Sequence, residues 1–188
     1  MSKFSLIQER LTNAFPQFLA CFSIDTRSEF KIFDYKGQSY LVSDDNKIKV
    51  KGEFITLGNT ELSKTFNVLN AKNVGFIPLD GDDGLIKYSV CDFIVFDDND
   101  FCFVEIKLNA TSTKRRAVGA NRGKAIDQLS KTVDVFNAKL DSDYCQLNLE
   151  AYVSTPNGYP IRNIDKRIAF LEKHKGFKLI ESDEKICR

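Results

Sequence analysis

The chain has 188 residues, 27 of them basic and 26 acidic, so its formal net charge is +1. This balance excludes a strongly basic nucleic-acid coat protein and a strongly acidic chain. With 43% hydrophobic and 28% charged residues the composition is that of a globular protein, and the length predicts one domain over residues 1–188.

In the first third of the chain, the spacing of the apolar residues changes from that of a helix to that of strands. Apolar residues at helical spacing predict a helix over about residues 3–20, interrupted or ended near Pro16. Short apolar runs separated by polar turns then predict a β-meander over residues 29–57. We therefore expect residues 1–58 to form an N-terminal elaboration of a helix and a meander. Asn59 is expected to cap a helix that runs to about Leu69.

The rest of the chain alternates strand and helix signals. Two strong strand signals, at about 88–96 and 101–108, are joined by an acidic turn. The following elements are a helix, a strand, a helix and a strand, at about 123–139, 147–154, 164–174 and 177–181. This order predicts an α/β fold with a mixed sheet flanked by helices. Within it we expect a core over residues 59–155 and a C-terminal helix and strand over 156–188.

Cysteine usage and hydropathy predict where the protein resides. The five cysteines are odd in number and lack the spacing of metal ligands, which indicates reduced thiols: Cys21, Cys91, Cys102, Cys145 and Cys187. The N-terminus shows no signal-peptide pattern, and no stretch approaches the ~20 apolar residues of a membrane span. The sequence therefore predicts a soluble cytoplasmic protein without a membrane partner.

The chemistry is expected at the end of the second strong strand. Glu105 and Lys107 project from one face there, because strand side chains alternate with a period of two. If the preceding hairpin closes symmetrically over residues 97–100, Asp92 lies opposite Glu105, with Cβ atoms ~5 Å apart. Like charges repel at that distance, and Mg²⁺ would turn the repulsion into coordination. Lys107 would then orient a water or neutralise charge on a phosphate.

The acid-x-Lys triplet alone has little specificity. The chain contains five such triplets, and Glu105-Ile106-Lys107 is the one that ends an apolar strand and has an acid at the matching hairpin position. The alternative is a salt bridge at the edge of a strand. Two further acidic stretches, residues 80–84 and 97–100, lack the ligand spacing of a calcium loop and are interpreted as acidic turns.

An Asp on one strand, a short hairpin and (D/E)-x-Lys on the next strand resemble the signature of the PD-(D/E)xK nuclease superfamily. Here those positions are Asp92 and Glu105-Ile106-Lys107, and Cys91 replaces the usual preceding Pro. The resemblance covers about residues 60–154. It implies a restriction-endonuclease-like core in which the two acids bind Mg²⁺ or Mn²⁺ and the Lys assists attack of water on a phosphodiester.

The resemblance implies further site residues. The Ile106 carbonyl and waters would complete the metal ligands, and Gln128 on the following helix would help to place the nucleophile or the phosphate. The Gln-x-x-x-Tyr form of one branch is not matched, because residue 132 is Thr132. Glu61 is a candidate additional acid, although it is also explained as a first-turn acid favoured by the helix dipole.

Charge is segregated around the predicted site. Residues 80–105 carry eight acids and one Lys, whereas no acid occurs between Lys107 and Lys124. The basic residues that follow Lys107 predict a loop that contacts nucleic-acid phosphates: Lys114, Arg115, Arg116, Arg122 and Lys124. The alternative is a solvated loop.

These observations favour a metal-dependent nuclease that acts on DNA. Small nucleases that cut both strands often act as dimers, so a homodimer is compatible with this hypothesis. A second interpretation is an inactive nuclease-like module for binding or interaction, for example in a defence or toxin-immunity system, because the charge is near neutral and no base-reading motif is present. A third is a structural domain in which the site is an accidental salt bridge.

Overall fold

A computed structural model of the chain describes residues 1–86, 90–109, 112, 114–156 and 163–187, and Arg115 by its backbone alone. The helices are α1 (Lys3–Ala14), α2 (Phe18–Cys21), α3 (Asn59–Leu62), α4 (Arg115–Leu140) and α5 (Ile164–Lys173). The strands are β1 (Ser23–Asp25), β2 (Glu29–Tyr35), β3 (Gln38–Val42), β4 (Lys47–Val50), β5 (Glu53–Thr56), β6 (Phe66–Leu69), β7 (Val74–Pro78), β8 (Phe93–Phe96), β9 (Asp100–Ile106), β10 (Asn148–Ser154), β11 (Phe177–Glu181) and β12 (Glu184–Ile186).

The main sheet has six strands in the order β1-β7-β8-β9-β10-β11. Pairing is antiparallel from β1 to β9 and parallel from β9 to β11. Parallel neighbours need a crossover connection, and α4 and α5 lie in these two crossovers. The predicted α/β fold class, a mixed sheet flanked by helices with an N-terminal helix, is confirmed.

A second, four-stranded sheet in the order β12-β6-β2-β3 covers the other face of the main sheet. Strand β9 therefore has two buried faces, and all seven of its residues are buried. Phe101 and Phe103 face the helices, whereas Cys102 and Val104 face the second sheet. The hairpin β4–β5 packs on the outer side of the second sheet through a small third core around Phe33.

The structure corrects three predicted boundaries. The helix expected over residues 59–69 ends at Leu62, and residues 66–69 form β6 instead. Phe66 and Val68 are buried in alternation, and pairing with β2 and β12 outweighs the local helix signal. The meander is divided, because β2–β3 joins β6 while β4–β5 forms a separate hairpin.

The third correction concerns α4, which begins at Arg115 rather than near residue 123. Val118 is buried and anchors the early turns, and the Asn163 side chain donates to the Gly119 carbonyl. The strand predicted at about 88–96 is described from Phe93, and positions 88 and 89 lie outside the described residues. Among the described helices none is both long and apolar enough to cross a bilayer.

A buried ion network fastens β12 to the main sheet at the start of β9. The Lys185 Nζ lies 2.6 Å from Asp100 Oδ2 and 2.8 Å from Glu150 Oε2. The Tyr152 hydroxyl donates to the same Glu150 oxygen, and the three charged side chains are at most 3% exposed. Both carboxylates therefore pair with the one ammonium group, and the buried network depends on it.

Replacing Lys185 with Met tests this network. Because Asp100 and Glu150 would remain buried without a cation, we expect Lys185→Met to lower the free energy of unfolding by about 3–5 kcal/mol in urea titration. Lys178→Met on the exposed side of β11 is the control and should change it by less than about 0.5 kcal/mol. A similar small effect of both variants would contradict the structural role of the network.

Candidate active site

The hairpin β8–β9 sets the backbone of the site. Its register pairs Phe93 with Val104 and Phe96 with Phe101, as the symmetric turn predicts. Asp92 lies one residue before β8, where its N–H donates to the Val104 carbonyl at 3.0 Å and its carbonyl accepts from the Leu79 N–H at 2.9 Å. The Asp92 backbone is therefore held between β7 and β9.

The side chains of Asp92, Glu105 and Lys107 come together at the end of β9. The Asp92 carboxylate accepts from the Ile106 N–H, and Lys107 forms an ion pair with Glu105 Oε1. Glu105 is fully buried and Asp92 is 7% exposed. The second Glu105 oxygen, Oε2, is buried and has no hydrogen-bond partner among the described residues. The cluster thus holds an unsatisfied acceptor at its most buried point.

Asp80 belongs to the same cluster, although the sequence analysis interpreted its segment as an acidic turn. It follows β7, which pairs with β8, so Asp80 and Asp92 meet at one end of the sheet. Burial and the charge of Asp92 raise the pKa of Asp80, and Asp80 Oδ1 is buried with no partner in the described part of the chain. The order of the strands brings Asp80 to the site, and nothing in the local sequence distinguishes Asp80 from its acidic neighbours.

Asp34 on β2 is a second acid that the sequence analysis missed. It accepts a hydrogen bond from the Gly37 N–H at 3.0 Å. Burial raises the pKa of its carboxyl group, while the Gly37 N–H and the nearby positive charge of Lys107 lower it. Asp34 begins one of the other four acid-x-Lys triplets, and the second sheet carries it to the site. The N-terminal hairpin therefore contributes a charge to the cluster.

Burial and mutual repulsion raise the pKa values of the acids in the cluster. Burial raises the pKa of Glu105 well above its usual range, and the charge of Asp92 raises it further. Burial also raises the pKa of Asp92 to about 7 and that of Asp80 to about 8. Burial lowers the pKa of Lys107, but its attraction to Glu105 outweighs that effect and the net shift is upward. The acids are therefore crowded and the lysine stays charged.

Helix α4 holds the segment that leads into Asp92. The Gln128 Nε2 donates to the Val90 carbonyl at 2.9 Å, and Thr132 Oγ1 accepts from the Cys91 N–H at 2.8 Å. Gln128 Oε1 is buried and lacks a partner among the described residues. Gln128 thus supports the backbone that leads into Asp92, and Thr132 supports the same backbone.

Glu61 is placed differently from the four clustered acids. It is exposed on α3, where its carboxylate accepts from the Gly58 N–H at 3.0 Å. This contact is half of a capping box, which satisfies a free donor at the start of a helix. The electrostatic neighbours of Asp92 are instead Lys107, Asp34 and Asp80.

The predicted phosphate contacts divide into two groups. Lys114, Arg116 and Lys124 are exposed at or within the first half of α4. Arg122 is 1% exposed, and its guanidinium lies 2.6 Å from Glu181 Oε2. A buried, paired guanidinium is not available to a phosphate, so Arg122 is corrected to a structural residue that links α4 to β11. The side chain of Arg115 lies outside the described residues.

The donors present fit a site with few protein ligands. Among the described residues no group of three or more His, Cys, Asp or Glu side chains is arranged to hold a metal ion. Mg²⁺, however, is commonly bound by one or two carboxylates together with waters. Asp92 and Glu105 supply two carboxylates, and Glu105 Oε2, which has no partner in the part of the chain that the structure describes, is an oxygen ligand of the type that such a cation prefers. Ile106 contributes its N–H to Asp92.

Comparisons of the chain with protein-family models, with curated proteins and with solved structures find no match.

The raised acid pKa values predict how stability depends on pH in EDTA. Unfolded carboxyl groups titrate near pH 4, whereas Asp92 and Asp80 titrate at about 7 and about 8 in the fold. Between these limits the folded protein holds more protons, so its free energy of unfolding should fall as pH rises from about 4 to 8, by about 1.4 kcal/mol per pH unit for each proton held.

Asp80→Asn should flatten this dependence, because the amide does not titrate. The matched control is Asp83→Asn, which alters an exposed carboxylate in the same turn and should leave the slope unchanged. Urea titrations at pH 5, 6, 7 and 8 measure both. Parallel profiles of wild type and Asp80→Asn would contradict the assignment.

Proposed function

We propose that the chain is a metal-dependent nuclease that hydrolyses phosphodiester bonds, with DNA as its substrate. The observation that carries this proposal is the buried Glu105, which has one carboxylate oxygen without a partner among the described residues, beside Asp92 and Lys107. A buried carboxylate without full compensation costs several kcal/mol. Such a cost is expected where the group serves a ligand that is absent from the protein alone.

Each residue of the cluster has a role that follows from its chemistry. Asp92 and Glu105 would hold Mg²⁺ or Mn²⁺, and a bound metal lowers the pKa of a coordinated water and polarises a phosphoryl oxygen. Lys107 keeps its positive charge and can orient a water or neutralise charge that develops on the phosphate. Gln128 keeps the Val90 backbone, and with it Asp92, in position.

The basic half of α4 supports a phosphodiester substrate. Lys114 and Arg116 are exposed at the start of the helix, and Lys124 is exposed two turns later. Cations there oppose the helix dipole, which favours negative charge at a helix N-terminus. Basic residues at such a position are explained if they and the free backbone N–H groups of the first turn face a phosphate.

Hydrolysis with and without Lys107 tests the proposal. Purified protein with Mg²⁺ or Mn²⁺ is incubated with single- and double-stranded DNA and RNA. Lys107→Ala should reduce the rate about 10²–10⁴-fold, because the variant lacks the group that assists the attacking water. Lys31→Ala removes an exposed lysine from another acid-x-Lys triplet and should keep full activity. Equal rates for wild type and Lys107→Ala would overturn the catalytic assignment.

Metal affinity tests the carboxylates independently of turnover. Calorimetric titration of wild type with Mg²⁺ should show binding, and Asp92→Asn should weaken it at least about tenfold through the loss of a ligand. Asp98→Asn, an exposed acid in the turn after β8, is the control. No binding, or binding that Asp92→Asn leaves unchanged, would favour the second candidate, an inactive nuclease-like interaction module. That candidate accords with the lack, among the described residues, of three or more His, Cys, Asp or Glu side chains arranged to hold a metal ion.

A further inference from the structure

A cleft of about 330 Å³ lies on the outer side of the β2–β3 hairpin. Two tyrosines and two lysines are among its lining residues: Tyr35, Tyr40, Lys36 and Lys51. The cleft is bounded on its other side by the turn that follows Asp80, through Gly81 and Asp82. A cleft of this size is at the lower end of the range for small-molecule sites.

The two tyrosine rings are held in place by the sheet and by the third core. Tyr35 pairs with Gln38 and Phe33 pairs with Tyr40, so the tyrosines are diagonal neighbours on one face. Both are half-buried and pack against the third core, around Phe33. The rings therefore present fixed aromatic surface to the cleft, at little further cost in side-chain entropy when a ligand binds.

The lysines give the cleft a cationic rim. The Lys36 Nζ lies 5.0 Å from the centroid of the Tyr35 ring, and the Lys51 Nζ lies 3.0 Å from Asp82 Oδ2. Both lysines are exposed. Aromatic surface combined with exposed cations is an arrangement that binds unpaired nucleotides, because the base stacks on the ring and the phosphate meets the cation.

Two chain segments connect the cleft to the candidate active site. Tyr35 follows Asp34 on β2, where the two side chains point to opposite faces of the strand. Gly81 follows Asp80, so each wall of the cleft is one residue along the chain from an acid of the cluster. The two walls are joined, since Gln38 Oε1 accepts from the Asp83 N–H at 3.1 Å. Gly81 has φ +79° and packs directly against Gln38, where a larger residue would collide. The cleft and the acid cluster are thus fixed relative to each other.

We propose that this cleft binds one base of a single-stranded nucleic acid whose phosphodiester backbone continues to the acid cluster. The proposal rests on the proposed nuclease function and adds the substrate form to it. A base within a duplex is stacked and paired on both sides, and it can enter such a cleft only after leaving the stack, at a cost of a few kcal/mol. Single strands avoid that cost, so the cleft favours them.

The absence of Trp from the chain offers a direct test. Tyr35→Trp would introduce a single indole into the wall of the cleft, and a stacked base should quench its fluorescence. The control is Ile186→Trp, an exposed position of β12, which lies at the opposite edge of the same sheet from β3. The probe is a short single-stranded oligothymidylate, titrated in EDTA so that hydrolysis does not consume it.

We expect saturable quenching in Tyr35→Trp and none in Ile186→Trp. A duplex of the same length should quench at least tenfold more weakly at equal concentration. In parallel, Tyr40→Ala should weaken binding of the labelled oligonucleotide about tenfold by fluorescence anisotropy, through the loss of one stacking surface. Phe54→Ala, an exposed aromatic on β5 that does not line the cleft, is the matched control and should bind as wild type does.

Absence of quenching in Tyr35→Trp, or equal quenching by the duplex, would overturn the cleft assignment. Its failure is distinguishable from failure of the nuclease proposal. If Lys107→Ala cleaves as fast as wild type while the cleft is quenched, the base site stands and the catalytic assignment falls. If cleavage depends on Lys107 but the indole is not quenched, the nuclease stands and the cleft assignment falls.

Discussion

The burial of Glu105 at the end of β9 is the constraint on which the rest of the site depends. Helices cover one face of this strand and the second sheet covers the other, so water has little access to its end. In that environment electrostatic interactions are strong, so the charge of each side chain next to Glu105 has a large effect on it. Lys107 pairs with one oxygen of Glu105, and Asp92 raises its proton affinity. The same carboxylate on an open sheet would be an ordinary surface acid.

Buried acids lie at both ends of β9, and they differ in how fully their carboxylate oxygens are paired. At its start, Asp100 is paired with Lys185, which also pairs with Glu150, and this network fastens the two sheets together. At its end, Glu105 retains an oxygen without a partner among the described residues, and Asp80 does as well. Complete compensation is what stability requires of buried charge, whereas incomplete compensation requires a further explanation. The contrast within one strand is the strongest physical argument that the second cluster serves a ligand.

The sequence predicts those parts of the site that depend on local pairing. Asp92 and Glu105 are found through a four-residue turn, because the length of a hairpin connection determines the register of its strands. Asp34 and Asp80 depend instead on how two sheets stack and on which strands become neighbours, and no local pattern encodes either. The burial of Arg122 is likewise set by a distant strand. The same distinction between local pattern and distant partners applies to the fold. Regular apolar spacing predicts α4 and α5, whereas the short strand β6 forms because of the strands that pair with it.

The cleft and the acid cluster together suggest how a chain of near-neutral charge could bind a nucleic acid. Acids gathered at the end of β9 repel a phosphate backbone, and the exposed cations on α4 offset this repulsion only in part. Affinity for a nucleic acid would therefore need a contribution that does not depend on net charge. Stacking on Tyr35 and Tyr40 would supply such a contribution, worth about 1–3 kcal/mol for each base. A nuclease without a strongly basic surface is thus physically reasonable if it holds its substrate by the base as well as by the phosphate, and an unpaired strand is the form that presents both.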